Sequence, residues 1–290
     1  MILVKPPTTY KDQVEKLRSR GCIIDDEPEA IHILSSVNYY RLTAYFLPFK
    51  NSDDLYNQGT NFKTVYRIYE FDRKIRHIIF SAVEEIEIFV RAVFAYHHAH
   101  AFGALGYLDY RNYNQRHDHT GFIAQINSEK KKQSKELFVQ HHNSKYNGQF
   151  PIWAIIELFS FGTLSHFYAD LPASSQKYLA KTFFQSHQKA LSSWLHCGTV
   201  LRNICAHFGR LYYRNFSVIP KGIQGLDQTN DRSLFGAIMA IRSLYIDTAK
   251  WNKEVLIPIK NLVTEYSADI QLTHIGFPVE WEAKLMRDIK

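Results

Sequence analysis

One long apolar stripe constrains this chain more than anything else in it. Between Phe62 and about His98, Val65, Ile68, Tyr69, Ile75, Ile78, Ile79, Val83, Ile86, Val90 and Val93 recur mostly at three- and four-residue steps, the repeat of an amphipathic α-helix. Helical periodicity dominates elsewhere too. Thr8-Thr9 reads as a cap for a helix through Val14 and Leu17 that stops at Gly21, and Asp25-Asp26-Glu27-Pro28 opens a second helix towards Val37, with acidic residues and proline where a first turn favours them. The aromatic segment Asn38 to Phe46 fits a helix or a buried turn, and polar residues 50–61 and 102–120 read as loops.

Further on, the pattern predicts a polar helix over 122–142 and a buried helix from Pro151 punctuated by Gly162. More helices are expected near 164–170, 174–184, 188–214, 232–248 and 251–267. The only short strand candidate is Phe216 to Pro220. The fold class expected is therefore all-α, without internal repeats. Its divisions are an N-terminal helical extension over 1–60, a helical core over 61–220 and C-terminal helices over 221–290, packed as one compact unit.

The 290 residues carry a formal charge of +7, with 46% hydrophobic and 22% charged residues, ordinary globular values that argue against wholesale disorder. The excess is aromatic, 18 Tyr and 20 Phe, and a mildly basic, aromatic-rich chain is compatible with a polyanion partner. No apolar run approaches the ~20 residues that span a bilayer, and Met1 to Val4 before Lys5-Pro6-Pro7 is too short for a signal-peptide core. Cys22, Cys197 and Cys205 include no C-x-x-C pair, so neither a zinc ribbon nor a disulfide framework is suggested. The expectation is a soluble, reduced, cytoplasmic protein without a membrane partner.

The segment that can carry chemistry is Arg202-Asn203-Ile204-Cys205-Ala206-His207. On a helix through 188–214, at ~100° per residue, Val200, Leu201, Ile204, Phe208 and Leu211 share the core side. Asn203, His207, Arg210 and Arg214 share a neighbouring stripe. Arg202 lies ~140° round from His207, so one straight helix does not aim both at one point. A bent Arg side chain or a second copy of the helix closes that gap. An imidazole exchanges protons near neutrality, and a guanidinium forks onto phosphate oxygens and opposes charge on a phosphorane. No neighbouring carboxylates suggest a two-metal nuclease. A route without a metal ion or other cofactor uses the ribose 2′-OH as nucleophile, which restricts the substrate to RNA. Cys205 and His207 lie ~200° apart, against a thiol–imidazole pair.

Several blocks, in order, resemble the Abi (abortive infection) family of the AbiD/AbiF type, antiphage proteins placed in the HEPN superfamily. They are Lys5-Pro6-Pro7-Thr8-Thr9-Tyr10 with Gln13, Leu17, Arg20 and Gly21; Leu34 through Asn38-Tyr39-Tyr40-Arg41-Leu42 to Tyr45; Tyr69-Glu70-Phe71-Asp72-Arg73-Lys74-Ile75-Arg76 through Glu84, Glu87 and Arg91; Pro151-Ile152-Trp153 with Glu157 and Ser160 to Ser165; and Arg202-Asn203 with His207. The resemblance implies an HEPN-like helical bundle with added N- and C-terminal helices, whose Arg-x4-His motif forms a ribonuclease site at a homodimer interface. It assigns His207 as general acid/base, Arg202 as phosphate clamp and Asn203 as the orienting group. Some relatives work with a small RNA, so a non-coding RNA or antitoxin regulator is a further expected partner. A non-catalytic RNA-binding protein is the alternative.

Other features carry blander readings beside functional ones. Glu87 and Arg91 at i,i+4 are an ordinary helix salt bridge, or Arg91 faces the RNA with Glu87 holding it. Arg210 and Arg214 complete the expected RNA contacts. Lys130-Lys131-Lys132 is a solvated face or a polyanion contact. Tyr39, Tyr40, Tyr45 and Phe46 read as core, and the many histidines lack metal-site spacing.

Overall fold

The computed structural model describes residues 6–227 and 231–287; Lys5, in the first block above, lies outside them. The helices in chain order are α1 (Tyr10–Ser19), α2 (Glu27–Ser36), α3 (Tyr39–Thr43), α4 (Phe62–Phe102), α5 (His119–Lys132), α6 (Leu137–Lys145), α7 (Ile152–Ile155), α8 (Phe161–Asp170), α9 (Ala173–Phe184), α10 (Gln188–Ala206), α11 (Leu234–Leu244), α12 (Thr248–Trp251), α13 (Ile257–Glu265) and α14 (Trp281–Leu285). The fold is all-α. Among the described residues there is no strand, only two isolated bridges, Ile23 with Asn61 and Lys50 with Tyr56.

Helix α4 is the axis of the molecule. Its 41 residues extend ~60 Å. Asn61 caps its start by accepting from the Lys63 N–H, and Gly103, at φ +84°, ends it. The apolar stripe is buried along its whole length, from Phe62 to Ala95, and α7, α9, α10, α11 and α13 all pack on it. One hydrophobic core runs from Val14 to Leu285, so the N- and C-terminal helices share the interior of the central ones. At the N-terminus, Thr9 and Asp12 form a reciprocal capping box, Thr9 Oγ1 accepting from the Asp12 N–H at 3.2 Å and Asp12 Oδ2 from the Thr9 N–H at 2.9 Å. Such a cap is worth about 1 kcal/mol.

Four expectations need correction. The polar helix 122–142 is two helices, because the chain turns at Gln133 to Glu136. The stretch 251–267 contains a π-helical turn, Asn252–Leu256, just ahead of Pro258, whose missing N–H interrupts the regular bonding. Phe216 to Pro220 pairs with no strand: the Phe216 N–H donates to the Arg232 carbonyl at 2.8 Å, and Ser193 Oγ donates to Ile219 O at 3.1 Å. The helix expected over 188–214 stops at Ala206, with consequences for the site.

Candidate active site

Helices α10 and α4 run antiparallel, so the last turn of α10 lies beside residues 72–91 of α4. Two bonds close α10: the Phe208 N–H donates to Cys205 O at 3.1 Å, and the Gly209 N–H to Ile204 O at 2.7 Å. This is a Schellman arrangement, and it puts Phe208 at the left-handed position usually held by glycine; its φ is +56°. Glycine is needed one residue later. A Cβ on Gly209 would lie 2.9 Å from Ile204 Cγ2 and 3.2 Å from the Ile204 carbonyl oxygen.

The turn removes the premise that His207, Arg210 and Arg214 share a helical stripe. His207 is the C-cap, exposed to solvent. Arg210 is half-buried and donates to Tyr212 O at 2.8 Å, and burial pulls its pKa below the ordinary value. Arg214 is exposed and donates to Arg210 O at 3.1 Å. Phe208, expected in the core, is 65% exposed, whereas Leu211 is fully buried.

What holds this turn is a buried network centred on Asp72. Its Oδ1 accepts the N–H groups of Leu211 (2.9 Å) and Tyr212 (2.6 Å), and its Oδ2 accepts from the Tyr45 hydroxyl (2.6 Å) and from Arg76. Burial pushes the Asp72 carboxyl up, while the Arg76 charge, the Tyr45 hydroxyl and the two backbone N–H groups pull it down. Four donors on two oxygens fit a carboxylate, which only accepts. Arg76 also reaches Gly209 O at 3.3 Å, and Arg41 donates to Phe208 O at 2.7 Å. The carbonyls of the turn that follows α10 are thus taken up by arginines from α3 and α4. No role had been assigned to Asp72, Arg76 or Arg41 from sequence. The signal present was a charged i,i+4 pair inside the apolar stripe of Phe71, Ile75 and Ile79.

Arg202 turns the other way, onto α4. Its Nε lies 3.5 Å from Glu87 Oε2, while Arg91 donates to Glu87 Oε1 at 2.5 Å and to Phe159 O at 2.7 Å. The Arg202 contact is within ion-pair range but too poorly aligned for a hydrogen bond, and the Nε atoms of both arginines are buried without a hydrogen-bond partner. The cluster opens on a cleft of about 400 Å³, also lined by Phe80, Glu84 and Ile88. Glu87 and Arg91 form the expected i,i+4 bridge, and the same pair flanks Arg202. Carboxylates absent from the neighbourhood in sequence are supplied here by α4.

Arg202, Asn203 and His207 are not joined by any side-chain hydrogen bond within the chain. Asn203 and His207 are exposed, linked only through the backbone, where the His207 N–H donates to Asn203 O at 3.0 Å. Cys205 faces the core, and burial pushes its thiol up to about 12, which removes it as a nucleophile near neutrality. Lys130 is used structurally, over the Phe150 ring at 4.5 Å and donating to Gly148 O at 3.2 Å. Tyr45 and Phe46 are core as expected, but Tyr40 is 84% exposed. Among the described residues no three His, Cys, Asp or Glu side chains are grouped to hold a metal ion, and no helix is long and apolar enough to cross a membrane.

The family model of Abi-like proteins matches residues 32–213, a span that contains the second half of α2, all of α3 to α10, the Asp72 network and the Arg202 cluster. No curated protein and no solved structure matches the chain.

Proposed function

The chain belongs to the Abi-like protein family, which points to abortive infection and phage defence, and from that premise we propose that it is an endoribonuclease that works without a metal ion. In this reading His207 takes the proton of a ribose 2′-OH. The oxygen attacks the adjacent phosphorus, the bond from phosphorus to the 5′-oxygen breaks, and that oxygen leaves with a proton returned by the imidazolium. The products are a 2′,3′-cyclic phosphate and a free 5′-hydroxyl. Arg202 opposes the charge that develops on the phosphorane, Asn203 orients the phosphate, and Arg91, Arg210 and Arg214 contact the RNA backbone. Placement in the HEPN superfamily, in the AbiD/AbiF type, is part of the same proposal, as are a cytoplasmic location and restraint by an antitoxin or a non-coding RNA.

One observation carries the reading: the last turn of α10 presents an arginine with unspent hydrogen-bonding capacity to an open cleft, with an exposed amide and imidazole on the same turn. Glu87 has Arg91 and Arg202 on its two oxygens, so it serves as a holder of arginines and not as a free metal ligand. Arg202 and His207 do not meet within one chain, which supports a homodimer in which two α10 ends complete the site.

The test is cleavage of RNA in EDTA by the wild type and by His207→Ala. Cyclic-phosphate ends made by the wild type and lost in the variant are expected. Tight RNA binding by both forms with no cleavage, even in infected-cell extract, would leave only the RNA-binding alternative. A monomeric mass in light scattering at working concentration would remove the composite site.

A further inference from the structure

Beside the Arg202 cleft lies a larger one, about 710 Å³, lined by Arg41, Tyr69, Arg73, His77, Phe80 and Phe208 among others, with no carboxylate in its wall. Its lining includes Ala206 and Phe208, the two neighbours of His207, and it shares Phe80 with the Arg202 cleft. The two clefts therefore adjoin at Phe80, along α4 beside the end of α10. The polar groups along them are not equivalent. Arg76 is committed to Asp72, and Arg41 has given one N–H to Phe208 O. Arg73 and His77 are exposed, and neither side chain makes a hydrogen bond or ion pair among the described residues. Two aromatic rings stand among these groups, Phe80 at 38% and Phe208 at 65% exposure. Phe208 holds its ring outward at the expense of a left-handed backbone, conformational strain of the kind that clusters at functional sites.

An arginine without an ion-pair partner and an exposed imidazole beside exposed rings form a combination that binds single-stranded nucleic acid, phosphates on the polar groups and unstacked bases on the rings. The volume is within the ~300–1,000 Å³ of small-ligand pockets, which suits a short stretch of strand and not a duplex. We propose that this groove holds the nucleotides of a single-stranded RNA next to the scissile phosphate, with Arg73, His77 and the free edge of Arg41 on the backbone and Phe208 under a base. The proposal rests on the ribonuclease reading for the identity of the scissile phosphate, and adds to it a preference for unpaired RNA.

The test uses the full chain carrying His207→Ala and a fluorescein-labelled single-stranded RNA of mixed sequence, read by anisotropy over a range of salt. Adding Arg73→Ala with His77→Ala is expected to weaken binding roughly tenfold. It should also flatten the slope of log K against log salt by about 0.7, the share of one phosphate contact on a single strand. Adding Phe208→Ala instead is expected to weaken binding roughly tenfold with the slope unchanged, since stacking is not ionic. All three side chains are exposed, so circular dichroism and melting should match the parent. Unmoved affinity and slope while the parent binds, or a duplex competing as well as the single strand, overturns the groove and leaves cleavage at His207 standing. RNA binding intact with loss of dimer mass assigns the surface to a second copy and also overturns it. Failure of the parent to bind any RNA removes the groove together with the RNA reading. Binding through the groove without EDTA-resistant cleavage by the wild type keeps the groove and removes the nuclease.

Discussion

Asp72 and Glu87 stand on the same helix, each paired with the arginine four residues on, and each meets the end of α10. Around Asp72 every oxygen is spoken for, by two backbone N–H groups, a tyrosine hydroxyl and a guanidinium, and none of the residue is exposed. Around Glu87 the pairing is incomplete: Arg202 is held at 3.5 Å, the Nε atoms of Arg91 and Arg202 have no hydrogen-bond partner, and a cleft opens over them. A satisfied buried network fixes one conformation, whereas the Arg202 guanidinium, which makes no hydrogen bond among the described residues and lines the opening, is a group that an arriving anion can satisfy. The first cluster is the anchor of the turn that carries His207, and the second is, in the proposed function, where a phosphate gains most.

The largest expected effect breaks the anchor. Asp72→Ala leaves Arg76 buried without its carboxylate and strips two backbone N–H groups, a change worth about 3–5 kcal/mol. Urea unfolding of the variant and the wild type measures it. A loss below about 1 kcal/mol would mean that the network does not hold the turn, and the contrast with Glu87 would collapse.

A third buried polar residue of α4 supplies the opposite extreme, a group with no hydrogen-bond partner among the described residues. His98 is fully buried, both ring nitrogens lack hydrogen bonds, and burial, then the neighbouring His97, lowers its pKa to about 4 from 6.5. In the unfolded chain it binds a proton near pH 6.5, and in the folded chain only near 4. Stability is therefore unaffected above pH 6.5, falls as the pH drops through that window, and is lower by about 3 kcal/mol once both states are protonated. Melting curves at pH 7.5 and 4.5 should show this acid sensitivity, and His98→Phe should reduce it. An unchanged difference in the variant would assign the sensitivity to other groups.

Glu87→Gln sharpens the comparison from the other side. The cluster is only partly closed, so about 1–2 kcal/mol of stability is expected to go, clearly less than for Asp72→Ala. Removing a negative charge from between two arginines should tighten RNA binding, while the loss of Arg202's support should lower the cleavage rate at least tenfold. Single-turnover kinetics with saturating enzyme separates the two. A rate unchanged at saturation would make Glu87 a structural residue like Asp72.

These differences trace what could be read from the chain itself. The long helix was legible because its stripe repeats over some ten turns, and expected bounds of 62–98 compare with Phe62–Phe102. The end of α10 was not. Its left-handed residue is a phenylalanine, the glycine stands one place later, and the arginines that bind the carbonyls of the turn, Arg41 and Arg76, are more than a hundred residues away in sequence. Helical periodicity therefore ran on through Leu211. For the same reason Glu87 and Arg91 were legible as a pair, but not as a trio with Arg202, which only the antiparallel packing of α4 and α10 assembles.

The smallest expected effect concerns Arg214, the residue most displaced by that misplaced helix end. On a continuous helix it would stand two turns below His207 on the same stripe. In the folded chain it is an exposed side chain whose one hydrogen bond among the described residues is to the Arg210 carbonyl. Surface substitutions of this kind change stability by about 0.5 kcal/mol or less, so Arg214→Ala should melt with the wild type. If Arg214 touches RNA it does so as one peripheral charge, and its loss should weaken binding only a few-fold with a salt slope lower by about 0.7. A loss of RNA affinity as large as that expected for Arg73 with His77 would put the RNA path along the 210–214 turn instead of α4, and would reverse the order of importance drawn from the two clusters.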